Sequence, residues 1–105
     1  MTALPIVGFL ALSSALFAIG LFGILTRRNF ILVLIAIEIA MNAAILNFVY
    51  FGAFSGGTGG LSGQAIAVVL IGFAATEVAV GLAIVLALNR LKGTINVAQA
   101  TDLKL

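Results

Sequence analysis

Polar residues are so sparse along this 105-residue chain that their positions divide it. Three apolar runs remain between them, from about Leu4 to Leu25, from about Phe30 to Phe51 and from about Gln64 to Leu88. Each is close to the ~20 residues that an α-helix needs to cross the hydrocarbon layer of a bilayer. The connectors are short: Thr26-Arg27-Arg28-Asn29 first, then the glycine-rich stretch from Gly52 to Gly63. Consecutive runs must therefore reverse direction. The pattern predicts an all-α membrane protein, with three antiparallel transmembrane helices in a single membrane domain over residues 1–105 and a polar tail at residues 93–105. Pro5 falls in the first turn of the first helix, where a missing N–H costs little. Met1 to Pro5 lack the basic n-region of a secretory signal, and the apolar run behind them is too long for an h-region, so that run reads as a membrane helix.

Composition supports the membrane assignment. Hydrophobic residues make up 64% of the chain and charged ones 8%, with a mean hydropathy of +1.37. A soluble domain needs about a quarter of its residues charged to cover its surface. There is no cysteine and no histidine, which removes thiolate chemistry, disulfides, imidazole-ligated haem and ordinary zinc sites. The net charge of +2 is too small and too scattered for nucleic acid.

The basic residues report orientation instead. Arg27 and Arg28 lie in the first connector, Arg90 and Lys92 follow the third run, and the second connector carries no charge. By the positive-inside rule the first connector and the C-terminal tail face the cytoplasm or its organellar equivalent. The N-terminus and the glycine-rich connector face the other side. Gly56-Gly57-Thr58-Gly59-Gly60 has no lysine and no preceding strand, so it reads as a flexible turn between helices and not as a phosphate cradle.

The candidate chemistry lies in Glu38 and Glu77, two of only three acidic residues in the chain. A carboxylate at the centre of a membrane helix is costly, so such residues usually face protein or water and handle an ion, a proton or a charged substrate. Counting ~1.5 Å per residue from the basic ends puts Glu38 roughly 14 Å and Glu77 roughly 18 Å inside. With neighbouring helices about 8–10 Å apart, a few waters or one polar side chain would bridge two carboxylates at such similar depth. The bland alternative is a pair of neutral glutamates hydrogen-bonded to backbone. Asn42 lies one turn from Glu38 on the same face, as relay support or as plain helix-to-helix glue. Thr76 can bond its own backbone and needs no other role.

Small residues also form faces. Ala36, Ala40, Ala43, Ala44 and Asn47 gather on the side of the second helix away from Glu38. Glu77 shares its face with Ala74 and Gly81, while Gly72, Ala75, Ala79 and Ala83 point away. Small residues let membrane helices approach closely. A three-helix bundle has one interior, so helices with two such faces imply further helices from other chains. The protein is expected to be a subunit of a larger membrane complex and not a free monomer; the competing reading is that small residues are simply common in membrane helices.

Four segments, in order and spacing, carry a family resemblance over nearly the whole chain: Thr26-Arg27-Arg28-Asn29, Ile37-Glu38-Ile39-Ala40-Met41-Asn42-Ala43, Gly63-Gln64 and Ala74-Ala75-Thr76-Glu77-Val78-Ala79-Val80-Gly81-Leu82. Together they resemble the small subunit K, or chain 4L, of proton-pumping NADH:quinone oxidoreductase, respiratory complex I. The resemblance implies that Glu38 and Glu77 relay protons or charge through the membrane arm, and that Arg27 and Arg28 are the family's cytoplasmic basic pair. It implies antiporter-like subunits and the small subunits A and J as neighbours. Flavin, iron–sulfur clusters and quinone would belong to partner subunits, with no cofactor in this chain, in a bacterial or archaeal plasma membrane, an organellar inner membrane or a thylakoid. The chain departs from the family pattern at Ala40, Ile45 and Thr76, where many members carry methionine, asparagine and alanine. A related subunit of a multisubunit sodium/proton antiporter or membrane-bound hydrogenase is the alternative. Small drug/proton antiporters fit less well, since they resemble four-helix chains with a glutamate in the first helix, which here has no charge.

Overall fold

A computed structural model describes residues 6–54 and 59–93 of the chain. Among them run three helices, α1 (Ile6–Thr26), α2 (Phe30–Phe54) and α3 (Gly59–Lys92), each long and apolar enough to cross a membrane. The expected Pro5 turn, the centre of the glycine connector and the polar tail beyond Gly93 lie outside the described residues.

The first connector is tight because its residues satisfy the exposed ends of both helices. The Thr26 hydroxyl donates to the Phe22 carbonyl at 2.6 Å, and the Arg27 amide donates to Gly23 O at 3.0 Å. Asn29 then caps α2, its Oδ1 accepting from the Ile31 amide at 2.8 Å. A short polar side chain in that position satisfies one of the donors that a helix start leaves orphaned. At the other end of the fold, α3 stops at Gly93, whose φ of 64° lies in the left-handed region. Its amide closes on Asn89 O at 2.8 Å, the bond of an αL helix terminus.

The helices run further than the apolar runs predict. α2 continues to Phe54 and α3 begins at Gly59, so most of the anticipated turn from Gly52 to Gly63 is helical. Close packing overrides the poor helix propensity of glycine here. A Cβ on Gly63 would sit 2.7 Å from the Gly52 Cα, so only two bare backbones fit at this point. Gln64 ties the same end, its Nε2 donating to Val49 O at 3.1 Å. With 34 residues, α3 is about 51 Å long, more than the ~30 Å hydrocarbon layer requires.

α2 is the middle helix. It packs against both α1 and α3, which barely meet each other. Gly20 and Gly23 of α1 lie against Ala36 and Ala40, and near the glycine-connector end Phe9 stacks on Tyr50 with ring centroids 4.0 Å apart. The small-residue face of α2 is thus covered by α1, where Ala36 and Ala43 are buried. α2 thus has two protein-facing sides because it has a helix of its own chain on each. On α3, Ala74 is buried toward α2, whereas Gly72, Ala75, Ala79 and Ala83 stay exposed.

Candidate functional site

Glu38 stands half-buried in the middle of α2, and Glu77 stands exposed in the middle of α3. Two glycine contacts determine their relative height. A side chain on Gly81 would run into Leu34, and one on Gly63 would run into Gly52. The two helices therefore pass in opposite directions, with equal lengths of chain between the contacts. Counting four residues on from Leu34 reaches Glu38, and four back from Gly81 reaches Glu77. One level of the α2/α3 seam carries both carboxyl groups.

They share a level without facing each other. Glu38 lines a groove of about 310 Å³ with Ile35, Ile39, Val78 and Leu82. Glu77 lines another of about 500 Å³ with Phe73, Thr76, Val80 and Ile84. Leu34 is the side chain that belongs to both. At 100° per residue, Glu38 and Glu77 fall on opposite flanks of the helix contact, one turn along from the Leu34–Gly81 packing.

The polar atoms around the carboxyl groups are few. Glu38 Oε2 is buried and has no hydrogen-bond partner. Among the described residues no cation pairs with either glutamate. The Thr76 hydroxyl, beside Glu77, donates to Gly72 O at 2.9 Å, the backbone bond expected of it. Asn42 is exposed and lines neither carboxylate groove.

Asn47 belongs elsewhere. With Ser13, Ser14, Ala43 and Ala44 it lines a groove of about 260 Å³ between α1 and α2. Ser13 is only 3% exposed and donates to Leu10 O at 3.1 Å; Asn47 Oδ1 is buried without a partner. This polar seam was not anticipated, although two adjacent serines inside an apolar run were the available signal. Ile45 is buried, whereas Asn47 lies on the α1 side of α2. Arg27 and Arg28 are exposed in the connector.

Comparison with known proteins identifies the family. The family described as NADH-ubiquinone/plastoquinone oxidoreductase chain 4L matches residues 8–105. NADH-quinone oxidoreductase subunit K from Bacillus anthracis (strain CDC 684 / NRRL 3495) is 45% identical over 99% of both chains. The protein of that name from Anaeromyxobacter sp. (strain Fw109-5) is 43% identical over 94% of this chain and 96% of its own. The one from Geobacillus sp. (strain WCH70) is 42% identical over 99% of both. Since the family model matches residues 8–105 and relatives 42–45% identical cover 94–99% of this chain, the chain belongs to the NADH-ubiquinone/plastoquinone oxidoreductase chain 4L family.

Proposed function

We propose that this chain is a membrane-arm subunit of a proton-translocating NADH:quinone oxidoreductase, and that Glu38 and Glu77 take up and release protons in turn. The carrying observation is the pair of carboxyl groups at one level near the middle of the spans, on the two flanks of a single helix seam. Each opens into its own groove, so each has its own approach from the neighbouring helices of the complex. A proton passing from one to the other goes through water held between this chain and its neighbours. No arginine or lysine in the spans neutralises either group permanently, which keeps both available for proton exchange.

The chain itself has neither cysteine nor histidine, so thiolate and imidazole ligation of redox centres is outside its chemistry. From the family resemblance, flavin, iron–sulfur clusters and quinone are assigned to partner subunits, with antiporter-like subunits and subunits A and J as membrane neighbours. The arginine end of the helices is assigned to the cytoplasmic side by its charge.

The test is Glu38→Gln and Glu77→Gln in the whole complex, reading quinone reduction and proton uptake in sealed vesicles. Each substitution should lower coupled turnover by about tenfold or more, at least ~1.4 kcal/mol on the limiting step. Wild-type rates and stoichiometry in both variants would assign the glutamates a structural role and leave the chain as packing between larger subunits.

A further inference from the structure

We propose that the arginine end of the α1/α2 seam binds an anionic phospholipid, with its phosphate on Arg27 and an acyl chain in the groove beneath. The groove, about 200 Å³, has Arg27 at its rim. Its walls are Ile19 and Phe22 from α1 and Leu32, Ile35 and Ile39 from α2. The floor is made by the close approach of Gly23 to Ala36, where an added Cβ would lie 2.6 Å from the alanine methyl. Because the backbones nearly touch there, the larger side chains on either side stand out as walls. Ile19 is 58%, Phe22 61% and Ile35 51% exposed. From Arg27 the groove descends to Ile19, about 12 Å along the helix axis.

Charge decides the head group. Arg27 and Arg28 are exposed at this end, as is Arg90 at the end of α3. Among the described residues none of the three has an ion-pair partner, and the described acidic residues are Glu38 and Glu77, deep in the spans. A guanidinium at the membrane surface matches a phosphodiester in charge and in fork geometry. Basic pockets between transmembrane helices recognise anionic head groups in this way. An acidic side chain from a partner would satisfy Arg27 but leave the apolar groove unfilled; a phospholipid satisfies both. The inference rests on membrane insertion and not on the proton relay, since Glu38 opens into the adjacent α2/α3 groove.

The experiment uses the intact, delipidated complex in neutral detergent and phosphatidylglycerol carrying a photoactivatable group on its acyl chain. Mass spectrometry of the digested complex should place the label between Ile19 and Ile39 of this chain. Unlabelled phosphatidylglycerol should compete and phosphatidylcholine should not. Arg27→Gln should lower the labelling about fivefold, the loss of one surface arginine's attraction, while Arg27→Lys retains most of it. Native electrophoresis shows whether each variant is assembled; should Arg27→Gln not assemble, competition on the unmodified complex decides alone. Equal competition by phosphatidylcholine would reduce the site to ordinary boundary lipid. Absence of label in this segment would mean that a neighbouring protein covers the groove. Labelling unchanged in assembled Arg27→Gln would remove the head-group contact. Any of the three overturns the proposal.

Discussion

Glu38 and Glu77 share a level but not an environment, and that difference shapes what each can do. Glu38 is half-buried, with Oε2 sealed from solvent and unpartnered. A buried acceptor without a donor costs about 1–3 kcal/mol, so its surroundings must supply a donor when the carboxyl group is charged. Glu77 is exposed on the single chain, an arrangement that a bilayer penalises unless a partner or water covers it. If the two act in series, the Glu38→Gln/Glu77→Gln double variant should pump little worse than the poorer single variant, because residues of one unit are non-additive. Effects that multiply in vesicle assays would indicate separate routes. Asn42, exposed beside Glu38 but outside its groove, should matter less. Asn42→Ala should change quinone reductase activity by less than about threefold, the scale of a typical interhelical hydrogen bond in a membrane. The two carboxylates were legible in the sequence; the different grooves they line were not, since position along a helix says nothing about which flank faces which groove.

At the scale of the helix pair, glycine determines how closely the elements meet, and the added-methyl test ranks the contacts. On Gly20 a Cβ would come within 2.7 Å of the Ala40 backbone nitrogen and 2.8 Å of Ala36 O. Backbone cannot yield easily, so Gly20→Ala should destabilise the α1/α2 pair by about 1–3 kcal/mol. On Gly81 the obstacle is the end of the Leu34 side chain at 2.5 Å, which can change rotamer, so Gly81→Ala should cost less than about 1 kcal/mol. Gly72 has nothing within 4 Å, and Gly72→Ala should leave the isolated chain's stability unchanged or slightly raised through helix propensity. Denaturation in mixed micelles, followed by circular dichroism, checks the order; a Gly20 variant as stable as the Gly72 variant would refute it. The same close approach explains the helix-boundary error. Gly52 and Gly63 read as turn residues by composition, yet their contact requires both to lie on packed helices.

For the whole molecule, the informative feature is a row with α2 in the middle. The row covers the small face of α2 and leaves that of α3 open. Ala75 and Ala79 are exposed there, on the side away from α2. Subunit packing should use this ridge, since without side-chain bulk another helix can come close. Ala75→Leu and Ala79→Leu should therefore lower the yield of assembled complex on native gels while leaving insertion of this chain unaffected. Normal assembly would show that the ridge faces lipid. Three helices in a row bury few residues of their own: Ala36, Ala43, Ile45, Tyr50, Ala67, Ala74 and Val85 form the apolar core. Most of the remaining surface must meet lipid or partners.

The sequence by itself determined the class, the number of spans and the antiparallel order. These follow from one-dimensional quantities: apolar run length against bilayer thickness, and a fixed rise per residue. The tertiary structure alone decided that α2 is central, that the glycine stretch is largely helical and that Asn47 belongs with Ser13 and Ser14. It also decided that the two glutamates line different grooves, with Leu34 a wall of both. Those outcomes depend on which helix faces meet. Contact between faces is set by the summed packing of small side chains from different segments, which no single segment specifies.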